Sequence, residues 1–100
     1  MIRGTTPTHT FRHNIAAETI YKVRVIYAQD NVVILTKENE ACTIEGDTIK
    51  VRLTQEETLK FNHKKFVQIQ IRVLTLGGDA LASKISIVEV DKLLESEVFE

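Results

Sequence analysis

A single cysteine in one hundred residues rules out an intrachain disulfide and any zinc site built on several cysteines. A lone thiol, Cys42, fits a chain made in a reducing compartment. Tryptophan is absent and only six aromatics are present, which leaves little for stacking nucleic-acid bases or sugar rings. Neither charge sign dominates. Thirteen basic and fourteen acidic residues give a net charge of −1, with no electrostatic footprint for nucleic acid or an anionic membrane. No apolar run approaches the ~20 residues of a membrane-spanning helix. The polar, Thr-rich start lacks the charged-then-apolar pattern of a secretory signal. These absences lead us to expect a soluble chain that stays in the compartment where it is made.

Hydrophobic residues make up 43% of the chain, enough for one core without metal or disulfide support. We expect one domain over residues 1–100, with a polar N-terminal arm (1–8) and a C-terminal tail (91–100) that either extends the last strand or is loose. The strongest pattern has period two. Val23, Val25 and Tyr27 alternate with Lys22, Arg24 and Ile26. Ile49, Val51 and Leu53 alternate with Thr48, Lys50, Arg52 and Thr54. Val67, Ile69, Ile71 and Val73 alternate with Gln68, Gln70 and Arg72. Successive strand side chains point to opposite faces, so each run buries one face and wets the other, as in antiparallel sheets.

Turn residues separate these runs. Gln29-Asp30-Asn31 precedes a strand at residues 32–35, and Glu45-Gly46-Asp47 joins residues 42–44 to 48–53. Gly77-Gly78-Asp79 joins residues 66–75 to a last run around 82–90. With a short strand at Thr8–Arg12, the count is about seven. Thr54-Gln55-Glu56-Glu57 has capping-box spacing and predicts one helical turn, after which Leu59 and Phe61 fold back onto the core. Residues 14–19 read as a loop with at most one helical turn. The expected fold class is all-β, an Ig-like antiparallel β-sandwich of about seven strands with one short helical turn.

Candidate chemistry is thin. His9 and His13 are four apart, but on a strand that spacing is about 13 Å, too far to share one ion. Cys42 alternates with Ile44 toward the core and reads as a small buried hydrophobe. Glu56 and Glu57 are favourable charges at a helix start. Gly77-Gly78-Asp79 lacks the lysine and following helix of a phosphate cradle. Lys22 and Arg24 on one strand, Lys50 and Arg52 on another, would form a basic stripe only if their strands were neighbours. The arm at Thr5, Thr6, Pro7 and Thr8 is the one candidate contact surface, either unstructured or a strand that adds to a partner's sheet edge. No catalytic, cofactor or metal residue is expected, nor an enzyme.

Three stretches carry a resemblance: Met1-Ile2-Arg3-Gly4-Thr5-Thr6-Pro7-Thr8-His9, then Leu53-Thr54-Gln55-Glu56-Glu57-Thr58-Leu59-Lys60-Phe61, then Ile69-Gln70-Ile71-Arg72-Val73-Leu74 with Gly78-Asp79-Ala80-Leu81-Ala82-Ser83. They resemble a group of small proteins of phages and prophages of Gram-positive gut bacteria. The strand–short helix–strand layout also resembles the Ig-like N-terminal domain of phage baseplate upper proteins. The resemblance implies a structural or assembly part associated with a capsid, connector or tail. Its expected partners are other virion or assembly proteins, including further copies of itself, and neither nucleic acid nor membrane. It would be made in the bacterial cytoplasm and carried in the virion. The alternative is a carbohydrate-binding or adhesion module on a phage or cell surface, which calls for exposed aromatics where this chain offers only Tyr21 and Tyr27 among its tyrosines.

Overall fold

The alternating runs become strands whose apolar faces meet. The structure, a computed structural model, describes residues 1–100. Its strands are β1 (Thr8–Arg12), β2 (Ile20–Gln29), β3 (Val32–Lys37), β4 (Cys42–Glu45), β5 (Thr48–Arg52), β6 (Val67–Thr75), β7 (Ala80–Ala82) and β8 (Ser86–Val88). Every pairing between them is antiparallel. They form a three-stranded sheet in the order β1-β5-β4 and a five-stranded sheet in the order β3-β2-β6-β7, with β8 pairing farther along β6. The arrangement is that of a small all-β, sandwich-like domain, as the alternation predicts. One helical turn, α1 (Gln55–Thr58), carries the chain from one sheet to the other.

The core is the set of residues that the alternation selects. Val23, Val25 and Tyr27 from β2 meet Ile49, Val51 and Leu53 from β5 and its end, and Val67, Ile69 and Val73 from β6, with Phe61 and Val90 closing the ends. Fully burying side chains of this size contributes about 1.5–3 kcal/mol each. Ile71 shares their face but is only half-buried, because it lies beside an open side of the sandwich. Of the two residues expected to fold back after the helical turn, Phe61 reaches the core and Leu59 is partly buried.

The count rises from about seven strands to eight because the last run is divided. Ser83 accepts a hydrogen bond from the Ile71 amide through its hydroxyl, and its own amide donates to the Ile71 carbonyl. This local closure interrupts the ladder between β7 and β8. The β2–β3 hairpin turns on Asp30 and Asn31, both at positive φ (50° and 62°), as the two-residue turn matching strand twist demands.

The two chain ends are fastened to the body of the domain. The arm neither hangs free nor stands ready as a spare strand, because its backbone groups are used within the chain. Ile2 pairs in parallel with Asp91; the Thr58 hydroxyl donates to the Thr5 carbonyl, and the Leu53 amide to that of Pro7. The tail does not extend β8 and is held at both ends. Leu93 packs over Gly4, and the Gln55 side-chain amide exchanges two hydrogen bonds with the backbone of Phe99. Neither fastening has a local sequence signal, since each joins residues at least 44 apart.

Two outcomes test this account. The capping box forms as its spacing predicts: Thr54 Oγ1 accepts from the Glu57 amide, and Glu57 accepts from the Thr54 amide. Thr54→Ala is therefore expected to cost about 1 kcal/mol in urea unfolding, and Thr54→Ser to cost much less. Gly4 sits at φ +75°, and a Cβ there would fall 2.5 Å from Leu93 Cδ2. Gly4→Ala should cost at least about 1 kcal/mol in the same assay. Adding Leu93→Ala should give a total loss smaller than the two single losses summed.

Candidate functional site

Polar side chains converge inside one end of the sandwich. His9, Val51 and Cys42 lie side by side across the small sheet, on its inner face. Opposite them, β2 contributes Tyr27, which is fully buried, and β3 contributes Lys37. His9 Nδ1 and the Tyr27 hydroxyl are 2.8 Å apart, and the two rings tilt against each other with centroids 5.7 Å apart. Lys37 Nζ donates to both carboxylate oxygens of Glu57 at 2.8 Å, with the two side chains only 12% and 17% exposed. Capping by the Thr54 amide thus leaves Glu57 engaged on three hydrogen bonds.

Burial sets the titration of these groups. It lowers His9 below the ordinary imidazole value, helped by the nearby N-terminal ammonium. It raises the Tyr27 phenol far above its ordinary value, with the charges of Cys42 and Glu57 adding to the rise. The Cys42 thiol also goes up, through burial and the charges of Glu38 and Glu40, against the opposing pull of Lys37. For Glu57 burial acts upward, but the Lys37 and Thr54 hydrogen bonds outweigh it and the carboxyl ends below its usual value. At neutral pH the cluster therefore holds a protonated phenol, a protonated thiol and a fully engaged carboxylate. Its two links, His9 to Tyr27 and Lys37 to Glu57, join the small sheet to the large one and the edge strand β3 to the helical turn.

The two histidines of the four-residue spacing are not brought together. His9 turns to Tyr27, whereas His13 accepts a hydrogen bond from the Ile15 amide on Nδ1, and its Nε2 is buried without a partner. No three His, Cys, Asp or Glu side chains gather in a metal-holding geometry. Cys42 packs half-buried against the core, as its alternation indicates, and its thiol donates to the Glu38 carbonyl. Gly77 and Gly78 lie at the turn after β6.

The surfaces are more distinctive than the interior. Lys22 and Arg24 point outward from the five-stranded sheet and Lys50 and Arg52 from the three-stranded one, so the two pairs lie on opposite outer faces and no continuous stripe forms. What the sequence did not single out is Arg72, which lies directly opposite Arg24 across the β2–β6 ladder. Register is needed to see that pairing. Lys22, Arg24, Glu38 and Arg72 line one depression of about 280 Å³. Farther along the same face Ile26, Ala28, Val33 and Ile85 line another with the Gln68 and Gln70 side chains.

A third feature lies at the open side of the sandwich. No strand pairs with the edge of β1 away from β5, where an Ig-type first strand would run. Beside that edge a cleft of about 360 Å³ runs between the sheets, lined by Phe11, Ile15, Ile49, Ile71 and Leu81 among others. Of the arm residues, Thr5, Thr6 and Thr8 are exposed and Pro7 is half-buried. Tyr27 belongs to the core, and Tyr21 is 53% exposed.

The depressed His9 value has a definite consequence for stability. As pH falls through about 6.5, the unfolded chain takes up a proton that the folded chain resists, so stability falls with it. The urea midpoint should be highest above pH 7 and decline toward pH 5.5. His9→Gln should flatten that decline, and an unchanged slope would remove His9 as its cause.

The chain matches no protein-family model, no curated protein and no solved structure.

Proposed function

We propose that this domain is a structural or assembly part of a phage or prophage particle, associated with its capsid, connector or tail, and that it works through protein–protein contacts. The observation that carries the reading is the unpaired edge of β1 beside an apolar cleft. An unpaired strand edge offers a row of backbone donors and acceptors, and the cleft offers apolar depth for alternate side chains of an added strand. Native sandwiches normally cover or charge such edges. Here the arm that could have covered β1 crosses instead to Asp91 and to α1.

The resemblance of the three sequence stretches to phage and prophage proteins supplies the setting. The interior supports the same reading in a negative way. The polar groups of its His9–Tyr27 and Lys37–Glu57 cluster are bonded to each other, which favours contacts made at the surfaces.

Particles induced from a host that carries the gene test the proposal. The chain is expected to band with particles in a density gradient, at a fixed ratio to the major capsid protein, and its deletion should stop or misbuild them. A chain left wholly in the soluble lysate, with normal infectious particles from the deletion strain, would overturn the reading.

A further inference from the structure

The outer face of the five-stranded sheet is built at odds with a life in water. Arg24 and Arg72 are directly opposite across β2 and β6, an arrangement in which like charges repel. Glu38 neutralises Arg24 at 2.8 Å, but Arg72 makes no ion pair, and Lys22 adds a third cation to the same depression. Beyond the cations the face turns apolar, with Val33 58% and Ile85 52% exposed. Apolar surface framed by unmatched charge marks a place made to be covered.

The C-terminal segment has the complementary composition. Glu95, Glu97 and Glu100 make no ion pair, while Leu94 and Phe99 are 96% and 79% exposed. It is not a free tail. Leu93 is packed over Gly4 and the Phe99 backbone is clamped by Gln55, so the side chains between them are presented from a fastened loop. Such a loop loses little conformational freedom on docking. It also lies on the far side of the molecule, because Val98 lines a depression with Arg52 on the outer face of the three-stranded sheet. One chain cannot bring the two surfaces together.

We propose that the segment formed by residues 94–100 of one copy docks on the Lys22–Arg24–Arg72 face of a second copy, its carboxylates on the cations and Leu94 and Phe99 on the adjoining apolar surface. The contact is head-to-tail. The pair keeps one unused face, on the copy that gave its segment, and one unused segment, on the copy that gave its face, so association continues into a ring or a filament instead of stopping at a pair. This inference deepens the assembly reading by naming a partner, a second copy of this chain, and rests on it only for the setting.

Light scattering on size-exclusion chromatography across a concentration series, at about 50 mM and about 500 mM salt, tests the inference. Average mass should rise with concentration in low salt and fall back in high salt. Arg72→Glu and Glu97→Lys should each weaken association at least about tenfold, with urea midpoints near that of the natural chain because both side chains are exposed. Mixing the two variants should restore it, since each reversed face then meets a reversed segment. A strict monomer in low salt, or a mixture that stays as dissociated as its components, would overturn the inference. Banding of the chain with particles in spite of that result would leave the assembly reading standing.

Discussion

One turn of helix ties the molecule together. Each of the four residues from Gln55 to Leu59 other than Glu56 bonds to a distant part of the chain, three segments in all. Gln55 holds Phe99, Glu57 holds Lys37 of β3, Thr58 holds Thr5, and the Leu59 carbonyl accepts from Arg3. The turn is too short to be stable alone, since helix nucleation is costly and one turn recovers little of that cost. The capping box supplies the missing local stability, and Glu57 joins the two roles by accepting from both the Thr54 amide and Lys37. The crossover between sheets, the arm, the tail and the edge strand β3 therefore share one anchor.

A second anchor works at the other crossover end. Gln29 is 5% exposed at the end of β2, and its side-chain amide donates to the Asn62 and Lys65 carbonyls while accepting from the Asn62 amide. A buried amide with this much of its bonding satisfied fixes a loop that otherwise has few apolar contacts. Together the two anchors hold the whole stretch between β5 and β6, and Phe61 is pressed into the core between them.

Legibility follows from range. The alternation of Val23, Val25 and Tyr27 with charged neighbours shows which side is buried, because side-chain direction is a property of neighbouring residues. The turns at Asp30-Asn31 and Gly46 and the Thr54–Glu57 reciprocity are equally local, and all could be read from the residues. Alternation does not show which sheet a strand joins. That is why Lys22 and Arg24 could not be placed relative to Lys50 and Arg52, and why the opposition of Arg24 to Arg72 was hidden. Gln29 looked like part of a turn because its partners lie more than thirty residues ahead. The polar cluster of His9, Tyr27, Lys37 and Glu57 was unreadable for the same reason: every link in it joins separate strands or a strand to the helix. Ser83 dividing the last run was hidden too, since its effect depends on meeting Ile71 across the ladder.

The parallel pairing of Ile2 with Asp91 has a mechanical meaning. Three backbone hydrogen bonds hold that crossing: Arg3 to Asp91, Asp91 to Met1, and the N-terminal ammonium to Glu89. When the two ends of the chain are pulled apart, the Phe99 clamp is the first fastening on the C-terminal side. The strain then passes to this crossing, where the segments run in the same direction and slide along each other. Bonds perpendicular to the slide share the load and break together, whereas bonds in a peeling hairpin break one at a time. The small parallel contact at the ends thus shields the larger antiparallel sheets from tension.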